Sequence, residues 1–262
     1  MTHDETLSVI IPAYNEERYI GELLARVLGV DLCGRNVGKE IIVVDDGSTD
    51  GTIAIVTRHP NVILHRMSTN GGKGSAVRQG IRLATGDYIV IQDADLEYDP
   101  NDYVAMLATM QASGAEAVYG SRYLGDPNRG ALANFMARKH PAQSWAAYAG
   151  GRSLSLVALA ILGHYLADTV TALKLFRAEV LKPLALETSG FELDHEITAK
   201  LLAQGCTIRE VPIGYQPRSR AEGKKIGLQD WFRATRTFYR FRNAGRSAVF
   251  SPSLPRRGPE GG

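Results

Sequence analysis

The sequence has little of what marks a secreted, disulfide-bonded or membrane-spanning protein. Only Cys33 and Cys206 are cysteine among its 262 residues. They stand far apart without the close spacing of a metal site, which fits a reducing compartment and thiols with no chemistry of their own. No apolar run reaches the roughly 20 residues that a bilayer span requires; the stretch 154–167, LSLVALAILGHYLA, falls short. The opening MTHDETLSVIIP carries Asp4 and Glu5 where a secretory leader places basic residues, so export is not expected. Neither G-x-x-x-x-G-K-[ST] nor G-x-G-x-x-G occurs, which disfavours nucleoside triphosphate hydrolysis and dinucleotide redox chemistry. No repeat or low-complexity segment interrupts the body of the chain, and hydrophobic residues at 44% and charged residues at 22% are ordinary globular values.

What is present is a charge asymmetry and a repeating pattern. The segment 218–246 holds nine basic residues against Glu222 and Asp230, a charge of +7, so the rest of a chain with net charge +2 carries −5. Such a segment beside an acidic body suggests an anionic partner, either phosphates or membrane head groups, or else a solvated helix face. No nucleic-acid partner is expected. The first half alternates β-branched runs with helical patterns: LSVIIP then 18–30, EIIVVDD then 52–58, NVILHR then 74–84, DYIVIQDAD then 101–113, and AEAVYGSR. This βα repetition predicts an α/β fold with a mostly parallel sheet buried on both faces. In such sheets ligands sit at the carboxyl ends of the strands. Those ends read Pro12 to Glu16, Asp45-Asp46-Gly47-Ser48, Asp93-Ala94-Asp95 and Gly120-Ser121-Arg122, so four polar loops converge on one crevice.

Asp93 and Asp95, spaced i and i+2 after a strand, can turn their oxygens around one corner. That suits a hard cation, Mg²⁺ or Mn²⁺, shared with a diphosphate, with Glu97 as a third oxygen ligand. Strand-end aspartates also cap helices, and Asp99 before Pro100 is placed for that. Lys73, between Gly72 and Gly74 before a helix, can meet phosphate by charge and by free backbone N–H groups. Residues 154–167 read either as a core helix or as one lying in a membrane interface. In 228–239, Leu228, Trp231, Phe232, Thr235, Phe238 and Tyr239 recur at helical spacing among Arg233, Arg236 and Arg240, an interfacial helix or one packed on its own domain.

Together, SVIIPAYNEE, EIIVVDDGSTDGT, NGGKGSAVRQG, GDYIVIQDADLEYDP and GSRY resemble glycosyltransferase family 2. DTVTALKLFRAEVL, GFELDHEITAKL and IREVPIGYQPRSRAEGKKI resemble its dolichyl-phosphate mannose synthase-like branch, over roughly 7–242. The resemblance implies a GT-A fold in which Pro12, Tyr14, Glu16, Asp45 and Asp46 hold the nucleoside. A tyrosine can pack on the base, a carboxylate can accept a ring N–H, and Gly47 lets backbone approach the ribose. Asp93, Asp95, Arg122, Asp168, Arg177 and Glu196 form the expected catalytic set, and Arg218, Arg220, Lys224 and Lys225 join Lys73 as phosphate clamps. Where the branch commonly reads D-T-x-T-G-Y-K, this chain has DTVTALK, lacking the glycine and the aromatic.

The resulting expectation is an inverting transferase that moves a hexose from a GDP- or UDP-sugar to polyprenyl phosphate at the cytoplasmic, inner face of a membrane. A catalytic domain over 1–225 would include the apolar helix over 152–167, followed by an amphipathic helix over 226–248 and a disordered tail over 249–262. Two alternatives stand beside it. One is a family 2 transferase using a soluble hydroxyl acceptor, which needs a carboxylate base, Asp168, Asp194 or Glu196. The other is a non-catalytic nucleotide-sugar or phospholipid binding protein.

Overall fold

The computed structural model describes residues 5–124, 145–216 and 228–244. The elements in chain order are β1 (Glu5–Ala13), α1 (Ile20–Gly29), β2 (Val37–Asp45), α2 (Thr52–Val56), β3 (Val62–Arg66), α3 (Lys73–Leu83), β4 (Tyr88–Ile91), α4 (Asp102–Ser113) and β5 (Ala117–Ser121). They continue with α5 (Trp145–Leu162), β6 (Lys174–Arg177), α6 (Ala178–Leu181), α7 (Leu193–Ala203), β7 (Ile208–Pro212) and α8 (Leu228–Phe241). One seven-stranded sheet has the order β3-β2-β1-β4-β6-β5-β7. All its pairings are parallel except those of β6, which runs against β4 and β5. This is the GT-A arrangement of a mostly parallel sheet between helices.

The central strands are mainly apolar because their side chains alternate between two covered faces, whereas the edge strands β3 and β7 are partly exposed. From β1, Leu7, Val9 and Ile11 pack with Leu23, Leu24 and Val27 of α1 and Met106 and Leu107 of α4. Ile10 points the other way, into a cluster with Ala76, Val77 and Ile81 of α3 and Ile197 and Leu201 of α7. Gly80 of α3 is needed there, since a Cβ would stand 2.3 Å from Ile10 Cγ2.

The first five strands lie where the β-branched runs put them. β6 and β7 were not expected as strands. β6 is only four residues long, too short to display a period, and its neighbours are set by distant pairing.

The apolar helix is displaced from the expected 152–167 to 145–162, because Gly150 and Gly151 lie inside it and Gly163 ends it at φ +74. A Cβ on Gly151 would stand 2.5 Å from the Tyr123 hydroxyl, so packing explains a mid-helix glycine. The helix is two-sided: Leu154, Ser155 and Ala158 are buried, while Leu156 and Leu159 are exposed.

α8 docks on the body of the domain. Phe238 and Phe241 pack with Ala158 of α5 and Ala199 of α7, and Trp231 Nε1 donates to Ser153 Oγ at 2.9 Å. The aromatic face anticipated from spacing is thereby split, leaving Phe232 and Tyr239 exposed among the arginines. Among the described residues no helix is long and apolar enough to cross a membrane.

Candidate active site

The sheet order reverses between β1 and β4, and the crevice outside their carboxyl ends is where ligands of open α/β sheets bind. The loops after β1 and β2 are laced into one wall. Asp46 N–H bonds Ala13 O at 2.8 Å, Asn15 N–H bonds Ser48 Oγ at 2.9 Å, and Glu16 N–H bonds Thr52 Oγ1 at 2.8 Å. Asn15 takes a left-handed φ of +54, rare outside glycine, and Tyr14 beside it is 48% exposed, its ring presented at the strand end.

Asp46 and Asp45 have separate tasks. Asp46 accepts the N–H groups of Gly71 and Gly72 at 2.7 and 2.8 Å, which ties the glycine-rich loop to the end of β2. Asp45 receives Ser48 N–H on Oδ2 at 3.2 Å, while its buried Oδ1 has no partner among the described residues. A buried carboxylate oxygen left open at a strand end suits the ring N–H of a base.

The glycines of Gly71-Gly72-Lys73-Gly74 serve close approach. Gly72 has φ +87, and Cβ atoms on Gly72 and Gly74 would meet Ser189 at 2.6 and 2.7 Å. Of the N–H groups expected to meet phosphate, those of Gly71 and Gly72 bond Asp46 and that of Ser75 bonds Ser189 O at 3.2 Å, which leaves the N–H groups of Lys73 and Gly74 at the start of α3. The loop also presents the Lys73 ammonium, beside Asp93 and Asp194.

Lys73 Nζ lies 2.7 Å from Asp93 Oδ1 and 3.5 Å from Asp194 Oδ2. Lys174 Nζ, wholly buried, lies 3.5 Å from the other Asp194 oxygen and donates to Asp194 O at 3.1 Å. Burial opposes the charge on Lys73, but Asp93 and Asp194 outweigh it and raise its pKa far above that of an ordinary lysine. Burial likewise opposes ionisation of Asp194, yet Lys174 and Lys73 hold its carboxyl below the usual range. For Lys174 burial wins and its pKa is lowered.

After β4 the chain turns through Leu96 at φ +59, so that Asp95 Oδ1 accepts Glu97 N–H at 3.2 Å. Glu97 is buried and accepts the Tyr215 hydroxyl at 3.1 Å. A divalent cation would find only oxygen donors here, from Asp93 and Asp95, which suits hard Mg²⁺ or Mn²⁺. Among the described residues no group of three or more potential metal ligands is gathered. The residues therefore fit a cation completed by phosphate oxygens and water rather than a closed cage.

Three of the expected catalytic residues have their charges paired within the protein. Arg122 bonds Asp168 twice, Nε to Oδ2 at 2.6 Å and Nη2 to Oδ1 at 2.7 Å, and packs 5.1 Å from the Tyr215 ring. Glu210 of β7 holds this loop by accepting Ala167 N–H and Asp168 N–H at 2.7 and 2.8 Å. Glu196 accepts from Lys200 Nζ, Thr188 Oγ1 and the N–H groups of Glu187 and Thr188, all within 2.9 Å. Arg177 is a correction: it opposes Tyr88 at the start of β4, the far end of the sheet, and donates to Ala115 O at 3.2 Å. Because β6 is antiparallel, its first residue, Lys174, occupies the position at the site that a parallel strand would have given to Arg177. Lys174 was missed because no strand was expected there, although the K of DTVTALK was its signal. Pro12 lies at the end of β1 with Tyr14 and Glu16 following, and Arg218, Arg220, Lys224 and Lys225 lie outside the described residues.

The sequence model of glycosyl transferase family 2 matches residues 8–180, more than half the chain. The chain is 30% identical to a dolichol-phosphate mannosyltransferase of Pyrococcus furiosus, over 84% of this chain and 59% of that protein. It is 31% identical to a dodecaprenyl-phosphate galacturonate synthase of Rhizobium johnstonii, over 69% of this chain and 50% of that protein. It thus spans about half to three fifths of the length of these two relatives. Among solved structures, glucosyl-3-phosphoglycerate synthase of Mycobacterium tuberculosis with Mn²⁺, UDP and phosphoglyceric acid has a TM-score of 0.65 at 18% identity, covering 96% of this chain and 81% of that one. That likeness is one of fold.

Proposed function

From the premise that this chain belongs to glycosyltransferase family 2 and is a glycosyltransferase, we propose that it moves a hexose from a GDP- or UDP-linked donor to polyprenyl phosphate with inversion. Membership of a transferase family, with Asp93 and Asp95 both present, supports an enzyme over the reading as a non-catalytic binder. The observation that carries the choice of acceptor is the state of the carboxylates. Asp168 is clamped to Arg122, Glu196 to Lys200 and Thr188, and Asp194 stands between two ammoniums, so each is poorly placed to take a proton from a hydroxyl. A phosphate monoester, with a second pKa of about 6, is largely dianionic near neutrality and needs no such base. The relatives named for dolichol and dodecaprenyl phosphate agree in acceptor chemistry.

In this reading Tyr14 packs on the base, Asp45 Oδ1 accepts its ring N–H, and Lys73 meets the diphosphate. Asp93 and Asp95 are the residues that would hold Mg²⁺ or Mn²⁺, which when bound neutralises charge on the departing diphosphate. The Arg122–Asp168 pair shapes the wall of the site and keeps the DTVTALK loop in place. Exposed Leu156, Leu159, Phe232 and Tyr239, with the arginines of α8, suit peripheral attachment at a membrane surface, the cytoplasmic inner face in this reading.

The test is to incubate the purified protein and Mn²⁺ with a panel of nucleotide sugars, with and without polyprenyl phosphate, and follow nucleotide release. Release that depends on the lipid is expected. Equal release without it would overturn the acceptor assignment, and no release from any donor would overturn the donor assignment.

A further inference from the structure

We propose that Asp194 and Lys174 act as a positioning pair for Lys73, holding its ammonium at the donor's diphosphate when Asp93 is occupied by a cation. The inference rests on the reading above of Lys73 as a diphosphate contact. Lys174 opposes Ile91 across the β4–β6 pairing, two residues before Asp93. Its side chain has no exposed surface, so it touches no substrate itself. Its Nζ lies 4.9 Å from the centre of the Tyr119 ring and otherwise meets Asp194. A fully buried ammonium is costly unless paired, and its charged partner here is a carboxylate whose second oxygen faces Lys73. Asp194 is itself fixed from behind, since its carbonyl accepts the Thr198 hydroxyl at 2.8 Å, and that hydroxyl bonds Tyr119 at 2.9 Å.

Charge balance gives the arrangement its purpose. Lys73 and Lys174 offset Asp93 and Asp194, so the cluster is neutral as it stands. A diphosphate diester and a divalent cation entering together leave that balance unchanged. Asp93, Lys73's nearest anion at 2.7 Å, then has a stronger claim on it. The diphosphate is then Lys73's new partner, and Asp194 is the protein carboxylate that keeps the ammonium aimed at it. Lys174 keeps Asp194 from drawing Lys73 wholly to itself.

The experiment is calorimetric titration of GDP and of UDP, each with Mn²⁺, into the full chain. For whichever nucleotide binds the wild type, Lys73→Ala is expected to weaken binding about tenfold, the value of one charged hydrogen bond. Asp194→Asn should cost a similar factor, and Lys73→Ala added to it should cost nothing further. The double variant Lys174→Met/Asp194→Asn removes both buried charges. It should recover a wild-type melting temperature yet keep the weak binding, and it carries the comparison if Asp194→Asn alone does not fold. Wild-type binding by that double variant, or a full tenfold loss when Lys73→Ala is added to it, would overturn the pair's role. If Lys73→Ala binds like wild type, or neither nucleotide binds the wild type, the reading of Lys73 itself has failed and takes the inference with it.

Discussion

Arg122 and Asp168 form a two-pronged ion pair, 2.6 and 2.7 Å, with the carboxylate wholly buried and the guanidinium nearly so. The geometry makes Asp168 a wall-building residue, and its replacement separates that role from the role of a base. Removing one partner of a buried pair strands the other charge, at a cost of about 3–5 kcal/mol. Asp168→Asn should therefore lower stability by about that amount in urea denaturation. Arg122→Lys should also destabilise, because an ammonium cannot make two parallel bonds. Wild-type stability with lost turnover in Asp168→Asn would return Asp168 to the list of bases.

Asp95→Asn should abolish turnover, since a neutral amide is a poor ligand for a hard cation. The accompanying sign is a weaker dependence of nucleotide binding on Mn²⁺, read by calorimetry at several metal concentrations. Near-normal turnover in this variant would contradict the metal assignment.

The glycine-rich loop predicts an unequal response to one kind of substitution. Gly72 and Gly114 both have positive φ, +87 and +67, but a Cβ meets Ser189 O at 2.6 Å only at Gly72, while Gly114 has open space. Gly114→Ala should cost about 1 kcal/mol for its backbone alone. Gly72→Ala should cost more on two counts: its ψ of 160 lies in a region essentially reserved to glycine, about 1–3 kcal/mol, and the clash adds about 1–3 kcal/mol. Equal losses in urea denaturation would mean that the approach of Ser189 is not what requires the glycine.

His195 carries a pH effect whose sign follows from its burial. Burial first, then the charge of Lys174, lowers its pKa from 6.5 to about 4, and it stands edge-on to Phe238 at 5.1 Å. Between those values the unfolded chain binds the proton and the folded chain does not, so this contribution to stability is full above about pH 6.5 and is lost as pH falls toward 4. Asp102, raised by burial to about 6, acts in the opposite sense over part of that range. The measurement is therefore a difference: stability from pH 7 to 4 should fall less in His195→Phe than in the wild type. Parallel curves would show that His195 does not titrate differently on folding.

Much of the architecture was legible because the information is local. A β-branched run bounded by turn residues declares a strand, and the alternation of five such runs with helical patterns declares a parallel sheet with its ligands at the strand ends. Asp45, Asp46, Lys73 and Asp93 could be placed at that end of the sheet in this way, since each follows an apolar run or opens a helix. Spacing did not disclose the hydrogen-bond partners that occupy Asp168 and Glu196, because those partners lie on other segments of the chain.

By itself, then, the sequence determined the fold class, the end of the sheet where the polar loops meet, and the acidic and basic groups offered there, all of which depend on residues close in the chain. The tertiary structure alone decided that β6 runs backwards, placing Lys174 at the crevice and Arg177 at the opposite end. It also decided that Asp194 stands between two ammoniums and that Gly72 yields to Ser189. Strand direction, charge pairing and close backbone approach are set by packing between distant segments, and no periodicity along one segment encodes them.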